Sequence, residues 1–436
     1  MLSAYPRRHA RLDHRTRKQV MNRLDAIGLS RQGQTILAWM CVLIAANQLG
    51  FGSIVPVVPL YAEEFGVSQT AIGLTIAVYG MARFLVNLPA GRLADLAGRR
   101  PTLALGGAIT VTGAALCAVA PNYGMFLGAR FIAGAGAALV MTAGQIVLAD
   151  IASPHNRGRV MAIYQGVFLF SVGAGAFPGG WLADNYGLAS PFWANAVMAG
   201  VVTILALVFV PETRGLRRDS RPVHANGEAL AFRDQVGVIM RTPGFALICL
   251  VSFAAFFART GALFNVIPLL AEDEIGLDPG QIGFGIGMIS IVGLVLVYPS
   301  GALVDRFGRK AVIVPSTIFT GIAVLGFGIA GSFAAFMLCS VLWSTGSGVS
   351  GAAPAAYVTD IAPPGLTAPA LGLYRALADA GYVVGPLLLG IVADVGSPMA
   401  ALVFTSALLV SSGSLFALRA SESLAGRVVA RVSEAP

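Results

Sequence analysis

Gly91-Arg92-Leu93-Ala94-Asp95-Leu96-Ala97-Gly98-Arg99-Arg100 is a short charged stretch between two long apolar runs. It returns as Gly301-Ala302-Leu303-Val304-Asp305-Arg306-Phe307-Gly308-Arg309-Lys310, with Gly301, Asp305 and Arg309 each 210 positions after Gly91, Asp95 and Arg99. A charged stretch repeated at one fixed offset marks two copies of one unit. The same offset runs on without a gap. It pairs Glu64 with Glu274, Gly66 with Gly276, Ile72-Gly73 with Ile282-Gly283, Pro89 with Pro299 and Asp150-Ile151-Ala152 with Asp360-Ile361-Ala362. It also pairs Pro154 with Pro364, Tyr164 with Tyr374, Gly175 with Gly385, Gly180 with Gly390 and Asp184 with Asp394.

Composition assigns the medium. The chain has 436 residues, 56% hydrophobic and 11% charged, with mean hydropathy +0.77. Soluble domains carry about 25% charged residues, so most of this surface is not built for water. Apolar runs of roughly 20 residues are long enough to cross a hydrocarbon core of about 30 Å. They place spans at 35–62, 69–91, 101–120, 123–149, 160–183, 191–211, 243–270, 279–303, 311–331, 333–359, 370–393 and 398–418. The expected fold class is an all-α membrane protein, twelve transmembrane helices in two six-helix bundles. Six is an even number, so the copies share one orientation as parallel repeats about an axis along the membrane normal. The expected divisions are a basic tail at 1–34, a bundle at 35–211, a polar linker at 212–242, a bundle at 243–418 and a second tail at 419–436. The first 34 residues show no short apolar core with a cleavage site, so no secretory signal is expected there. Neither tail is assigned any chemistry.

The +8 balance suggests nucleic acid, but its placement argues against that. Of 29 Lys and Arg, all but Arg83, Arg130 and Arg259 lie in the tails, the linker or one alternate set of loops. The opposite loops carry acids such as Glu63, Glu64, Asp184, Glu272, Asp273, Glu274 and Asp394. Such asymmetry expects both termini in the cytoplasm of a multi-pass cell-membrane protein. Cys41, Cys117, Cys249 and Cys339 fall one to a span, without metal-ligand spacing, and read as small buried apolar residues. No Gly-x-x-x-x-Gly-Lys loop cradles a phosphate and no nucleophile constellation occurs. No enzyme, metal, cofactor or direct ATP drive is therefore expected.

Gly91 to Arg100 resembles the first signature of the major facilitator superfamily, and its second copy is that family's usual partner. Arg130-Phe131-Ile132-Ala133-Gly134-Ala135-Gly136 is similar to the fourth-helix signature of the family's twelve-helix drug:proton antiporters. Gly175-Ala176-Phe177-Pro178-Gly179-Gly180 resembles their fifth-helix signature, and Val210-Pro211-Glu212-Thr213-Arg214 the segment after the sixth helix. Two residues depart from the pattern. Leu96 stands where the second copy has Arg306, and Ala176 stands where it has Pro386, with Pro178 nearby. The resemblance implies a monomeric secondary transporter working by alternating access in the lipid bilayer. Its expected task is export of a small amphipathic molecule against entering protons. The alternative is a uniporter or symporter importing a polar or anionic metabolite, favoured by three intramembrane arginines against one acid. A non-transporting membrane receptor or scaffold is the third reading.

The site expectations follow. A gating latch is expected from Gly91, Asp95, Gly98, Arg99, Arg100 and Asp150 in the first half, and from Asp305, Arg309 and Asp360 in the second. Asp95 should accept hydrogen bonds from a helix N-terminus, while Arg99 or Arg100 pairs with Asp150 and Arg309 with Asp360. The resemblance implies that the latch holds the cytoplasmic side closed while the cavity faces outward. Leu96 should make the first copy the weaker. Intramembrane charges are site candidates by default, and these are Arg83, Arg130, Arg259 and Asp379. Arg130 matches the family's fourth-helix arginine, which implies a coupling role. Arg83 and Asp379 lie eight residues, about 12 Å at 1.5 Å per residue, from the expected cytoplasmic span ends. They should form an inter-half ion pair that competes with protonation of Asp379, the alternative partner being Arg375 one turn away. Asn47, Gln48, Gln145, Gln165, Asn265 and Arg259 are candidate cavity groups, with Phe51 and Tyr79 as stacking surfaces.

Overall fold

A computed structural model describes residues 29–153, 156–214, 232–351, 353–363 and 365–423. The tails beyond these limits and linker residues 215–231 lie outside the described set. Twelve helices are long and apolar enough to cross a membrane. In the first half they are Arg31–Ile54, Gln69–Ala97, Arg99–Ala118, Tyr123–Ile151, Arg157–Tyr186 and Ser190–Val208. In the second half they are Phe245–Asp273, Pro279–Phe307, Arg309–Phe327, Phe333–Ile361, Thr367–Val395 and Pro398–Arg419. They are numbered below as the first to twelfth spans. No strand occurs among the described residues, and the chain is an all-α membrane protein.

Local chemistry sets where the spans begin. The side chains of Ser30, Ser68, Asn122, Asp278, Ser332 and Ser397 each accept a hydrogen bond from the backbone N–H three residues on. These caps satisfy donors that the first helical turn leaves without partners. Two of the pairs, Ser68 with Asp278 and Asn122 with Ser332, again stand 210 positions apart.

Four features differ from the sequence expectation. The second and eighth spans do not stop at residues 91 and 303 but run to Ala97 and Phe307. At 29 residues each, they are about 43 Å long at 1.5 Å per residue. They outreach the hydrocarbon core, so the charged stretch is mostly helix standing beyond it. The first span is not continuous to 62 but breaks at 55–57 and resumes as Val58–Glu63. Pro56 and Pro59 withhold two backbone donors there. The seventh span carries a nine-residue π-helical segment, Ala258–Val266, and the linker ends in a short helix, Phe232–Arg241.

The end of the bundle that holds Gly91 to Arg100 is the basic face; the other is the acidic face. The halves meet along two seams, second span against eleventh and fifth against eighth. Small residues make both seams close. A Cβ on Gly73 would overlap the Pro386 carbonyl, one on Gly390 the Gln69 carbonyl, and one on Gly180 the Pro279 carbonyl. Asp394 at the end of the eleventh span fastens the first seam. Its carboxylate accepts hydrogen bonds from the N–H groups of Gln69 at 2.8 Å and Thr70 at 2.9 Å, and from the Thr70 hydroxyl. These contacts all lie toward the acidic face. Nearer the basic face, a Cβ on Gly91, Gly166, Gly301 or Gly372 would meet nothing within 4 Å. The two bundles therefore close on the acidic side and part toward the basic side.

Candidate functional site

Two groups of residues stand out, one at the basic face of each half and one where the halves meet. In the first half, Gly98 separates the second and third spans at φ +107°, a backbone region open to glycine. A Cβ there would also press on the Glu212 carboxylate. Glu212 accepts hydrogen bonds from Arg99 N at 3.0 Å and Arg100 N at 3.1 Å, where the helix dipole favours an anion. Partial burial opposes its ionisation, but the N–H donors of Arg99, Arg214 and Arg100 and the Arg99 charge outweigh it. The Glu212 carboxyl is held below its usual range. Arg99 is buried and reaches Asp150 at 3.0 Å and the exposed Asp95 at 3.1 Å. Thr213 donates to the same Asp150 oxygen at 2.9 Å, and Arg100 reaches the Leu207 carbonyl.

The second half repeats this arrangement position by position. Gly308 stands at φ +98°; Glu422 accepts from Arg309 N and Lys310 N, both at 2.9 Å. Arg309 lies 2.9 Å from Asp360, and Ser423 donates to Asp360 at 3.0 Å. Glu422 and Ser423 are 210 positions after Glu212 and Thr213. The sequence reading left them in a tail without chemistry, although the offset that found every other pair also marks them. Two expectations are corrected. The acid at the third-span N-terminus is Glu212, whereas Asp95 faces Arg99 one turn on. Each ion pair also lies within one half and is made while the basic side stands open, so its formation alone does not close that side. The side chain of Asp305 lies outside the described set. Arg306, the base absent from the first copy, rests over the Phe307 ring at 5.3 Å.

The central group gathers residues from both halves. Phe51 stacks on Tyr79 with centroids 5.3 Å apart. Arg130 lies over the Tyr79 ring, its Cζ 4.6 Å from the centroid, and its Nε donates to the Thr75 carbonyl at 3.3 Å. From the second half comes Tyr382, which the sequence reading missed. Its ring packs against Gly80, where any Cβ would collide with it, and Arg83 lies 5.6 Å from its centroid. Arg130 and Tyr382 line one small cavity with Phe51. Pro386 explains how Tyr382 is held. Proline has no N–H to give the carbonyl four residues earlier, and that carbonyl, Tyr382 O, instead accepts from Thr260 Oγ1 in the π-helical segment at 3.1 Å. Asn265 of the same segment donates to the Pro386 carbonyl at 3.4 Å. A Cβ on Gly261 would run into the Gly385 backbone, so the two spans touch directly at this level. π-helical segments are rare and are often found at functional sites.

No ion pair within 4 Å joins Arg83 and Asp379 among the described residues; Arg83 turns to the Tyr382 ring of the other half. They stand 14 and 12 residues from the basic ends of helices that prove longer than expected. Asn47 donates to Gln48 at 2.8 Å, and both are buried inside the first half. Gln145 is exposed and Gln165 half-buried, on the portions of the fourth and fifth spans nearer the basic face. The signal for Tyr382 was weak: its partner at the 210 offset is Val172, so duplication did not mark it. It does lie three residues from Asp379, one helical turn along the same face.

The model of the Major Facilitator Superfamily matches this chain twice, over residues 40–277 and 248–433. The chain belongs to the major facilitator superfamily. As such it is a transporter of a small-molecule substrate across a lipid bilayer and not an enzyme. Multidrug resistance protein 2 of Bacillus subtilis (strain 168) is 26% identical over 282 residues, which cover 64% of this chain and 68% of that protein. Among solved structures, a bacterial homologue of the human lysosomal transporter Spinster, inward-facing and unoccupied, superposes with a TM-score of 0.74 at 15% identity, over 89% of this chain and 97% of the other. The human organic anion transporter MFSD10 gives 0.62 at 20% identity, over 89% and 100%. At these identities the two structures speak for the major facilitator fold alone.

Proposed function

We propose that this major facilitator protein exports small amphipathic compounds in exchange for protons, by alternating access. The observation that carries the reading is the central group. Aromatic faces from Phe51, Tyr79 and Tyr382 and one intramembrane carboxylate, Asp379, converge where the closed seams end and the opening toward the basic side begins. Charge asymmetry puts the basic face and both termini in the cytoplasm, so this conformer loads from the cytoplasm. Relatives named for multidrug resistance support the direction. Asp379 is the proton site and Arg83 the group that biases it, with Arg130 coupling its state to the seam between the halves. The basic-face clusters act as a gate whose contacts shift the equilibrium only by their differential energy in the two states. The protein works as a monomer.

The deciding measurement uses purified protein in liposomes with an imposed pH gradient. An acid lumen should drive accumulation of an amphipathic fluorescent substrate as protons leave. Asp379→Asn should lose this gradient-driven accumulation while keeping exchange of labelled for unlabelled substrate. Flux indifferent to the gradient would remove proton coupling and leave a uniporter. The arginine excess of the central group favours this second reading, a carrier of a polar or anionic metabolite.

A further inference from the structure

The central group is unbalanced in charge. Arg83 lies over the Tyr382 ring and Arg130 over the Tyr79 ring; the seventh span adds Arg259, and the eleventh brings one carboxylate, Asp379, three residues before Tyr382. Arg83 Nε and Arg130 Nη1 are buried donors with no hydrogen-bond partner among the described residues, and Arg130 is only 2% exposed. Buried donors without acceptors are costly, and charged ones more so. Arg130 and Tyr382 line the same small cavity with Phe51, Ile76 and Phe264, about 10 Å³ in this conformer. Unspent cationic donors therefore lie beside aromatic and aliphatic walls. Both donors come from the first half and face Tyr382 of the second, so an acceptor bound to them meets the Tyr382 ring only when the halves stand at one particular separation.

We infer that the transported compound is an amphipathic anion, a free carboxylate on an aromatic or aliphatic body, with its headgroup held by Arg83 and Arg130 beside the Tyr382 ring. This deepens the export reading and rests on the central group being the substrate site. The carboxylate is the acceptor that the arginine donors lack, and charge-assisted bonds to it are the strong kind. The body stacks on Phe51 and Tyr79. A cationic compound of the same shape meets two uncompensated positive charges, and such like-charge opposition is how a site rejects a partner. The excess of arginine then needs no structural explanation of its own.

The test measures binding without flux, so it stands apart from proton coupling. Full-length protein in nanodiscs is titrated with 2-naphthoate, 2-naphthylmethanol and 2-naphthylmethylammonium. Naphthoate should bind about tenfold tighter than the alcohol, one charge-assisted contact at ~1.4 kcal/mol, and the ammonium weaker than either. Arg130→Gln and Arg83→Gln should each bring naphthoate down to the affinity of the alcohol; Arg130→Lys should retain part of the preference. The wild-type series alone decides if a variant fails to fold. Equal or tighter binding of the ammonium, binding of none of the three, or an anion preference that survives both glutamine variants would overturn the inference. Nanodiscs with and without phosphatidylglycerol separate the remaining source of an anionic headgroup. Naphthoate affinity should be the same in both, and a competitive loss with the anionic lipid would assign the arginines to lipid instead. Export could fail its own gradient test with naphthoate binding intact, so the two failures are distinguishable.

Discussion

At the scale of single residues, the basic-face clusters rest on Gly98 and Glu212 and on their counterparts Gly308 and Glu422. Gly98→Ala places a Cβ against the Glu212 carboxylate at a φ that side chains rarely adopt. It should lower thermal stability by about 1–3 kcal/mol, the usual strain at such a position. A midpoint equal to wild type in a detergent melt would reject that account. Glu212 makes a pH-dependent contribution whose sign is fixed. Its folded value is depressed, so its stabilisation is fully present above the unfolded carboxyl value of about 4.3 and is lost as pH falls through the folded one. The gap in melting temperature between wild type and Glu212→Gln should hold steady from neutral pH down to the mid-fours and then narrow. A gap that widens on acidification would show that the carboxylate is not stabilised by those N–H groups.

At the scale of elements, glycines mark which packing belongs to which state. Gly73 is pressed against the eleventh span, whereas Gly91 on the same helix has open space. Gly73→Ala should therefore oppose the acidic-side seam, and Gly91→Val should leave this conformer intact while obstructing closure of the basic side. Distances between spin labels on the second and eleventh spans should shift in opposite senses for the two variants. A shift of the same sign in both would show that Gly91 is spacious in either state. The spans themselves were legible from apolar runs, because a helix in lipid satisfies its own backbone. Their ends were less so. Residues 91–97 read as a turn because they are charged, yet the helix continues because charge only requires that they stand outside the core. The π-helical segment has no local signature at all. It is sustained by Thr260 and Asn265 reaching the eleventh span, contacts between residues more than a hundred positions apart.

At the scale of the whole molecule, the acidic-side seam is fastened by Asp394 on the second-span N-terminus, a bond between halves. The carboxylate is exposed and screened by solvent, so Asp394→Asn should cost the closed seam about 1 kcal/mol, less than a shielded charge-assisted hydrogen bond. That is about a fivefold shift toward opening on the acidic face, readable as label accessibility at positions 69–73. Unchanged accessibility would make the bond a passive cap. The pseudo-equivalent Asp184 lies 3.7 Å from where a Cβ on Gly280 would sit, so the repeat supplies an acid at both seams but sets its partner only through local geometry. The sequence by itself determined the twelve spans, their duplication and the repeated charged stretch, since hydropathy and a constant offset are properties of the chain read along its length. It also marked Arg83, Arg130, Arg259 and Asp379 as groups that lipid would not tolerate without purpose. Only the tertiary structure decided what those groups face. Whether Arg83 meets Asp379 or the Tyr382 ring, and whether the halves part on the basic or the acidic side, depends on how two separate bundles lean on each other. That lean is a small difference between two packings of the same sequence, and no local pattern along the chain encodes it.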